Sequence, residues 1–168
     1  GTEFSAANSA YAGMILGYTD IGLNEGRVSY SLTTSFVVQT DEHGVTFTAP
    51  PSGNVEIFTQ LGRFYAGSSG AGNLYVGLSD ANATSGYNAV DDFHEENILD
   101  NNGRFAYLTP SHTWTITGLT PGTSYTYYVG VKSTSTTGTP VLEYGGLATG
   151  HYASFIMKAT ALPATIST

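Results

Sequence analysis

Trp114-Thr115-Ile116-Thr117-Gly118-Leu119-Thr120-Pro121-Gly122-Thr123-Ser124-Tyr125-Thr126-Tyr127-Tyr128-Val129-Gly130-Val131 reads as two strands joined by a corner. Trp114 and Ile116 are two residues apart and share one face of an extended chain. Between Gly118 and Gly122, Pro121 presets φ and Gly122 is free to take a positive φ. Tyr125, Tyr127, Val129 and Val131 then alternate with Thr126, Tyr128, Gly130 and Lys132, the period of a half-buried strand. Strands with one apolar face each need a second layer to cover them.

The same period recurs on both sides. Val45, Phe47 and Ala49 alternate with threonines up to Pro50-Pro51-Ser52-Gly53, a turn because neither proline can donate to a ladder. Val55, Ile57, Thr59 and Leu61 then face one way, as do Leu74, Val76 and Leu78. Residues 11–19 give a first short strand, residues 28–39 a strand broken near Thr34, and residues 90–99 one helical turn. Phe105, Tyr107 and Leu108 resume extended chain before Pro110. In the last strand Phe155, Met157 and Ala159 share a face, and Pro163 ends it. The pattern predicts roughly eight to ten strands and an all-β sandwich or jelly roll.

Composition agrees with this class. The chain has 168 residues, no Cys, and 11% charged residues, against about 25% in average globular proteins. Ser and Thr together number 40 and Gly 21, so the surface is largely hydroxyl and glycine. Net charge is −8 with only five Lys and Arg, too few to track a phosphate backbone, so nucleic acid is not an expected partner. No apolar run approaches the roughly 18 residues of a membrane span, and membrane insertion is not expected. Gly1-Thr2-Glu3-Phe4 reads as a restriction-site scar. The expected organisation is a flexible lead-in through residue 10, one sandwich domain over residues 11–163 and a tail over 164–168.

Phe47-Thr48-Ala49-Pro50-Pro51-Ser52-Gly53 resembles the opening corner of C1q-type domains. Tyr152-Ala153-Ser154-Phe155-Ile156-Met157-Lys158, after a Gly-rich loop, resembles that family's closing strand. The resemblance implies a C1q/tumour-necrosis-factor jelly roll that assembles as a homotrimer. Bacteriophage tail and head fibres resemble the same family and share a segment similar to Gly118-Leu119-Thr120-Pro121-Gly122-Thr123-Ser124-Tyr125. This implies a fibre head on the virion surface that attaches to a bacterial glycan or protein receptor, or decorates the particle. A second resemblance competes. Leu119, Pro121, Thr123 and Tyr125 are similar to the tyrosine corner of fibronectin type III domains, where the tyrosine hydroxyl ties the corner to nearby backbone. That family's tryptophan lies on an early strand, whereas Trp114 lies just before the corner. The alternative is therefore a monomeric fibronectin-like or carbohydrate-binding module of a secreted bacterial protein.

No catalytic constellation stands out, and the expectation is a non-enzyme without a cofactor. Glycoside hydrolysis needs two flanking carboxylates, and nothing in the sequence singles out a pair. His43, His94, His112 and His151 lack zinc spacing. There is no Gly-x-Ser-x-Gly elbow, and residues 67–72 lack the lysine of a phosphate loop. Asp91-Asp92-Phe93-His94-Glu95-Glu96 is the one candidate for Ca²⁺, which takes carboxylate oxygens, although the spacing is not that of an EF-hand. A solvated acidic turn is the plainer reading of it. Tyrosine suits interfaces and sugar surfaces. Tyr125 and Tyr127 read as corner or core, and Tyr87, Tyr107, Tyr128, Tyr144 and Tyr152 as residues able to face a partner. Loops carry recognition, so the expected receptor contacts are Tyr87, Asp91, Asp92 and Tyr144, on segments 67–72, 79–103 and 133–146.

Overall fold

The computed structural model describes residues 11–22, 26–66, 72–82, 96–101, 106–146 and 151–166. Among them run twelve strands: β1 (Ile15–Ile21), β2 (Val28–Ser31), β3 (Gly44–Thr48), β4 (Val55–Leu61), β5 (Arg63–Ala66), β6 (Gly72–Ser79), β7 (Glu96–Asn101), β8 (Ala106–Leu108), β9 (Ser111–Ile116), β10 (Ser124–Ser133), β11 (Val141–Tyr144) and β12 (Phe155–Ala161). They form three antiparallel four-stranded sheets, ordered β1-β12-β4-β9, β3-β10-β6-β7 and β2-β11-β5-β8. The all-β sandwich expected from the alternating pattern is what the chain forms.

The first and third sheets have the same order column by column. β4 runs into β5, β8 into β9, and β11 leads to β12 through a bridge between Gly145 and Tyr152. They are two halves of one bent layer, and the bend is built from residues that ordinary side chains cannot replace. Gly62 has φ 77°, and a Cβ there would lie 2.6 Å from the Glu143 carbonyl oxygen. Gly22 has φ 99°, and a Cβ there would meet the Tyr144 ring at 2.8 Å. Pro110 sits at the same level, and its carbonyl accepts from Leu61 N–H at 3.0 Å.

The second sheet covers this layer. Among β1, β3, β4, β6, β7, β9, β10 and β12, first pairs with last, second with seventh, third with sixth and fourth with fifth. Alternation puts Val45, Phe47, Tyr127 and Val129 on one inner face and Ile57, Trp114, Phe155 and Met157 on the other, in a single core. The open edge is closed at Gly17, where a Cβ would stand 2.4 Å from the Thr46 carbonyl oxygen. Thr19 Oγ1 donates to the Gly44 carbonyl beside it at 2.7 Å.

The two corner motifs form one joint. Residues 49–54 carry the chain from the second sheet to the first, and residues 117–123 carry it back. Leu119 N–H donates to Gly53 O at 2.9 Å, Gly122 N–H to Ala49 O at 3.0 Å and Ala49 N–H to Thr123 O at 2.8 Å. Thr120 N–H donates to the Tyr125 hydroxyl at 3.1 Å, the bond expected of a tyrosine corner. Gly118, Gly53 and Gly122 all take positive φ, and a Cβ on Gly53 would sit 2.5 Å from the Leu119 carbonyl oxygen.

Two expectations need correction. Residues 28–39 are not one broken strand: only Val28–Ser31 is a strand, and Val37 makes a single bridge to Val131. The chain leaves one sheet at Leu32, whose N–H donates to Pro140 O, and reaches the edge of another at Val37. The helical turn expected over residues 90–99 gives way, where it is described, to strand β7, whose backbone pairs with β6. Ladder bonds to a neighbouring strand outweigh a local helical preference that a single turn cannot sustain.

The joint predicts two graded losses of stability. Gly53→Ala costs about 1–3 kcal/mol or more, because it adds both positive-φ strain and a backbone clash. Tyr125→Phe costs about 0.5–1.5 kcal/mol, the net worth of one hydrogen bond. Urea midpoints of the two variants check this, and a Gly53→Ala midpoint equal to wild type contradicts the interlock.

Candidate functional site

The outer face of β2-β11-β5-β8 gathers residues that the sequence scatters. On β11, Leu142 and Tyr144 point into the core, so alternation sends Val141 and Glu143 outward. The register places Glu143 between Ser29 and Arg63, and Val141 between Ser31 and Tyr65. Tyr65 in turn pairs with Tyr107 of β8. An open cleft of about 560 Å³ lies over these rows, completed by Arg27, Tyr152 and Thr139.

Glu143 is the electrostatic centre. Its side chain is 2% exposed, yet it is a carboxylate with two guanidinium partners, Arg27 on Oε1 and Arg63 on Oε2. Arg63 also donates from Nε to Oε2 at 2.9 Å. Burial pushes the Glu143 carboxyl up, but the hydrogen bonds from Arg63 and Arg27 and their charges outweigh it, and the group is held below its ordinary 4.5. The ion pairs therefore stabilise the fold fully above pH 4.5, and their contribution fades as pH falls through the depressed folded value.

Aromatic rings wall the cleft. Tyr65 and Tyr107 lie 5.1 Å apart at a tilt of 50°. The Arg63 guanidinium stacks 3.8 Å over the Tyr152 ring and 5.3 Å from that of Tyr107, and Arg27 lies 5.2 Å over Tyr152. Guanidinium planes favour such faces. Thr139 has φ 50°, the one non-glycine residue with positive φ among the described residues. A β-branched residue in that conformation is strained, and such strain gathers at functional sites.

Of the receptor contacts expected from sequence, Tyr87, Asp91 and Asp92 lie outside the described residues. Tyr144 is corrected: it is 1% exposed and belongs to the core beneath the cleft. Its position on β11 turns it inward, where its hydroxyl meets His43 Nε2 at 3.2 Å and its ring neighbours Phe155. The segment 133–146, expected to be a loop, contains strand β11. Tyr107 and Tyr152 do meet in the cleft, while Tyr128 lines a separate cleft of about 440 Å³ with Asp20, Asp41 and Glu42. Among the described residues no group of three His, Asp or Glu is arranged to hold a metal ion. Sequence reading missed Arg27, Arg63, Tyr65 and Glu143. The available signal was rarity: a chain with five cations places two of them at this cleft.

No protein-family profile and no curated protein sequence matches the chain. Among solved structures, it is similar to the CBM22-1 xylan-binding domain of Paenibacillus barcinonensis Xyn10C, with 13% identity, covering 94% of this chain and 100% of that one, at a TM-score of 0.32. It is also similar to the CBM22-1-CBM22-2 tandem domain of the same protein, with 15% identity over 93% of this chain and 49% of that one, at a TM-score of 0.35.

His43 beneath the cleft has a measurable consequence. It stacks on Phe155 at 4.1 Å, and burial lowers its pKa from 6.5 to about 3. The folded state thus keeps it neutral while the unfolded chain takes up a proton below pH 6.5. The stability held above pH 6.5 is lost as pH falls towards 3, with a limit of about 5 kcal/mol. Denaturant midpoints measured from pH 7 to 4.5 fall more steeply for the wild type than for His43→Phe; parallel profiles contradict a buried neutral histidine.

Proposed function

We propose that this chain is a non-catalytic β-sandwich domain that binds glycans on the outer face of β2-β11-β5-β8. The observation that carries the reading is the convergence of Tyr65, Tyr107 and Tyr152 with Arg27 and Arg63 in one open cleft. Sugar rings offer C–H faces that stack on aromatic rings, and hydroxyls that take charged hydrogen bonds, which is the combination found here. Glu143 supports binding over catalysis. A general acid must hold a proton and hydrolysis needs a second carboxylate, whereas Glu143 is ionised, committed to two guanidiniums, and the one carboxylate among the described residues of the cleft. No cofactor belongs to this reading, and calcium enters it only through the acidic run from Asp91 to Glu96.

A carbohydrate-binding module of a secreted protein is one setting in which such a cleft would act. Two observations fit the fibre-head reading as well. The pairing of first strand with last, second with seventh, third with sixth and fourth with fifth is the winding of a jelly roll, which the fibre-head reading also expects. Tyr11, Met14, Ile15 and Tyr18, 45–74% exposed near the first strand, offer such a domain an apolar surface for self-association. In that setting the same cleft faces a bacterial surface glycan from the virion.

Binding of the purified domain to a glycan panel, with and without chelator, tests the reading. Tyr107→Ala, at an exposed ring, weakens binding about tenfold or more while leaving the denaturation midpoint near wild type. Full binding by both Tyr107→Ala and Tyr65→Ala removes the cleft from recognition. The mass in solution separates the settings, since a module runs at 17.6 kDa and a fibre head at three times that.

A further inference from the structure

We infer that the sugars preferred by this cleft carry a carboxylate, an inference that rests on the glycan-binding reading. The two guanidiniums of Arg27 and Arg63 face one carboxylate, Glu143, so the cleft holds one positive charge in excess. The molecule as a whole is the opposite, with a net charge of −8. The other two described cations lie elsewhere: Lys132 over Phe36 and Tyr75, and Lys158 over Phe58. A localised positive spot on a negative surface selects where an anion docks, and the surrounding field discourages it from docking anywhere else.

The two arginines do not play the same part. Arg63 sends both Nε and Nη2 to a single Glu143 oxygen, lies 3.8 Å from the Tyr152 ring centre and is 22% exposed. It is a strut that positions the others. Arg27 touches Glu143 through Nη2 and is 54% exposed. A guanidinium has more N–H donors than this one contact uses, and its planar fork matches a carboxylate bidentately. The sugar carboxylate therefore docks on Arg27 while its ring lies against Tyr107 and Tyr65. Glu143 holds Arg27 in place and is itself offset by two guanidiniums, so the incoming anion meets a net positive site.

The test is a panel of uronate- and sialate-bearing oligosaccharides, each beside its methyl ester or neutral parent, bound to the intact domain. The acidic member of a pair binds about tenfold more tightly at low salt, and the margin shrinks as salt rises. Arg27→Gln abolishes the margin in a protein that stays folded but whose denaturation midpoint falls with the lost Glu143 ion pair, and Arg27→Lys retains part of the margin. Equal or tighter binding of the esters and neutral parents overturns the carboxylate preference while leaving the glycan reading standing. A margin that survives in Arg27→Gln overturns the assignment to this residue. Binding to neither class brings down both the preference and the glycan reading.

Discussion

The interlock of the two corners is the constraint on which the sandwich depends. Each corner moves the chain from one sheet to the other, and each is too short to fix the inter-sheet geometry alone. Backbone bonds between Gly53 and Leu119, and between Ala49 and residues 122–123, clamp them to each other. The clamp requires a glycine at Gly53, because any Cβ there invades the Leu119 carbonyl. Asn54 extends the joint by donating from Nδ2 to the Pro163 carbonyl at 2.9 Å, which pins the chain leaving the last strand. With the sheets fixed at this end, the alternating apolar residues of β3, β10, β4 and β12 meet as one core.

The cleft arises at the other end of the bent layer. Beyond Gly62 and Gly145 the four strands turn away, and their outer face becomes a concave surface rather than a flat one. Burying Glu143 there is costly unless its lone pairs are filled, and two arginines, one just before β2 and one on β5, fill them. The same arginines stack on Tyr152, so charge neutralisation and ring packing hold one geometry. Below the strands, His43, Tyr144 and Phe155 form a rigid aromatic floor. The site is preorganised from both sides, which lowers the ordering cost of binding.

The sequence by itself determined the class of fold. Period-two alternation at Val55 to Leu61, Tyr125 to Val131 and Phe155 to Ala159 needs no partner to be legible, because side-chain direction is a local property of extended chain. Both corners were legible for the same reason: proline and glycine impose their φ values locally. The identity of the Thr120–Tyr125 bond was likewise within reach, since only five residues separate its ends. Where local signal was weak, reading failed, as in residues 32–39 and in β7, whose strand character depends on the partner β6.

Only the tertiary structure decided the site. Glu143 meets Arg27 across 116 residues and Arg63 across 80, separations at which no pattern in the sequence couples one residue to another. Tyr144 and Glu143 are neighbours, yet one is core and the other lines the cleft, because strand register sends them to opposite faces. Sequence placed Tyr144 in a recognition loop, and the pairing of β11 with β2 and β5 turned it inward. Pairing is set by where apolar surface can be buried over the whole chain, a global free-energy minimum rather than a local preference. That is why the strands could be read one by one, and their neighbours, and hence the cleft, could not.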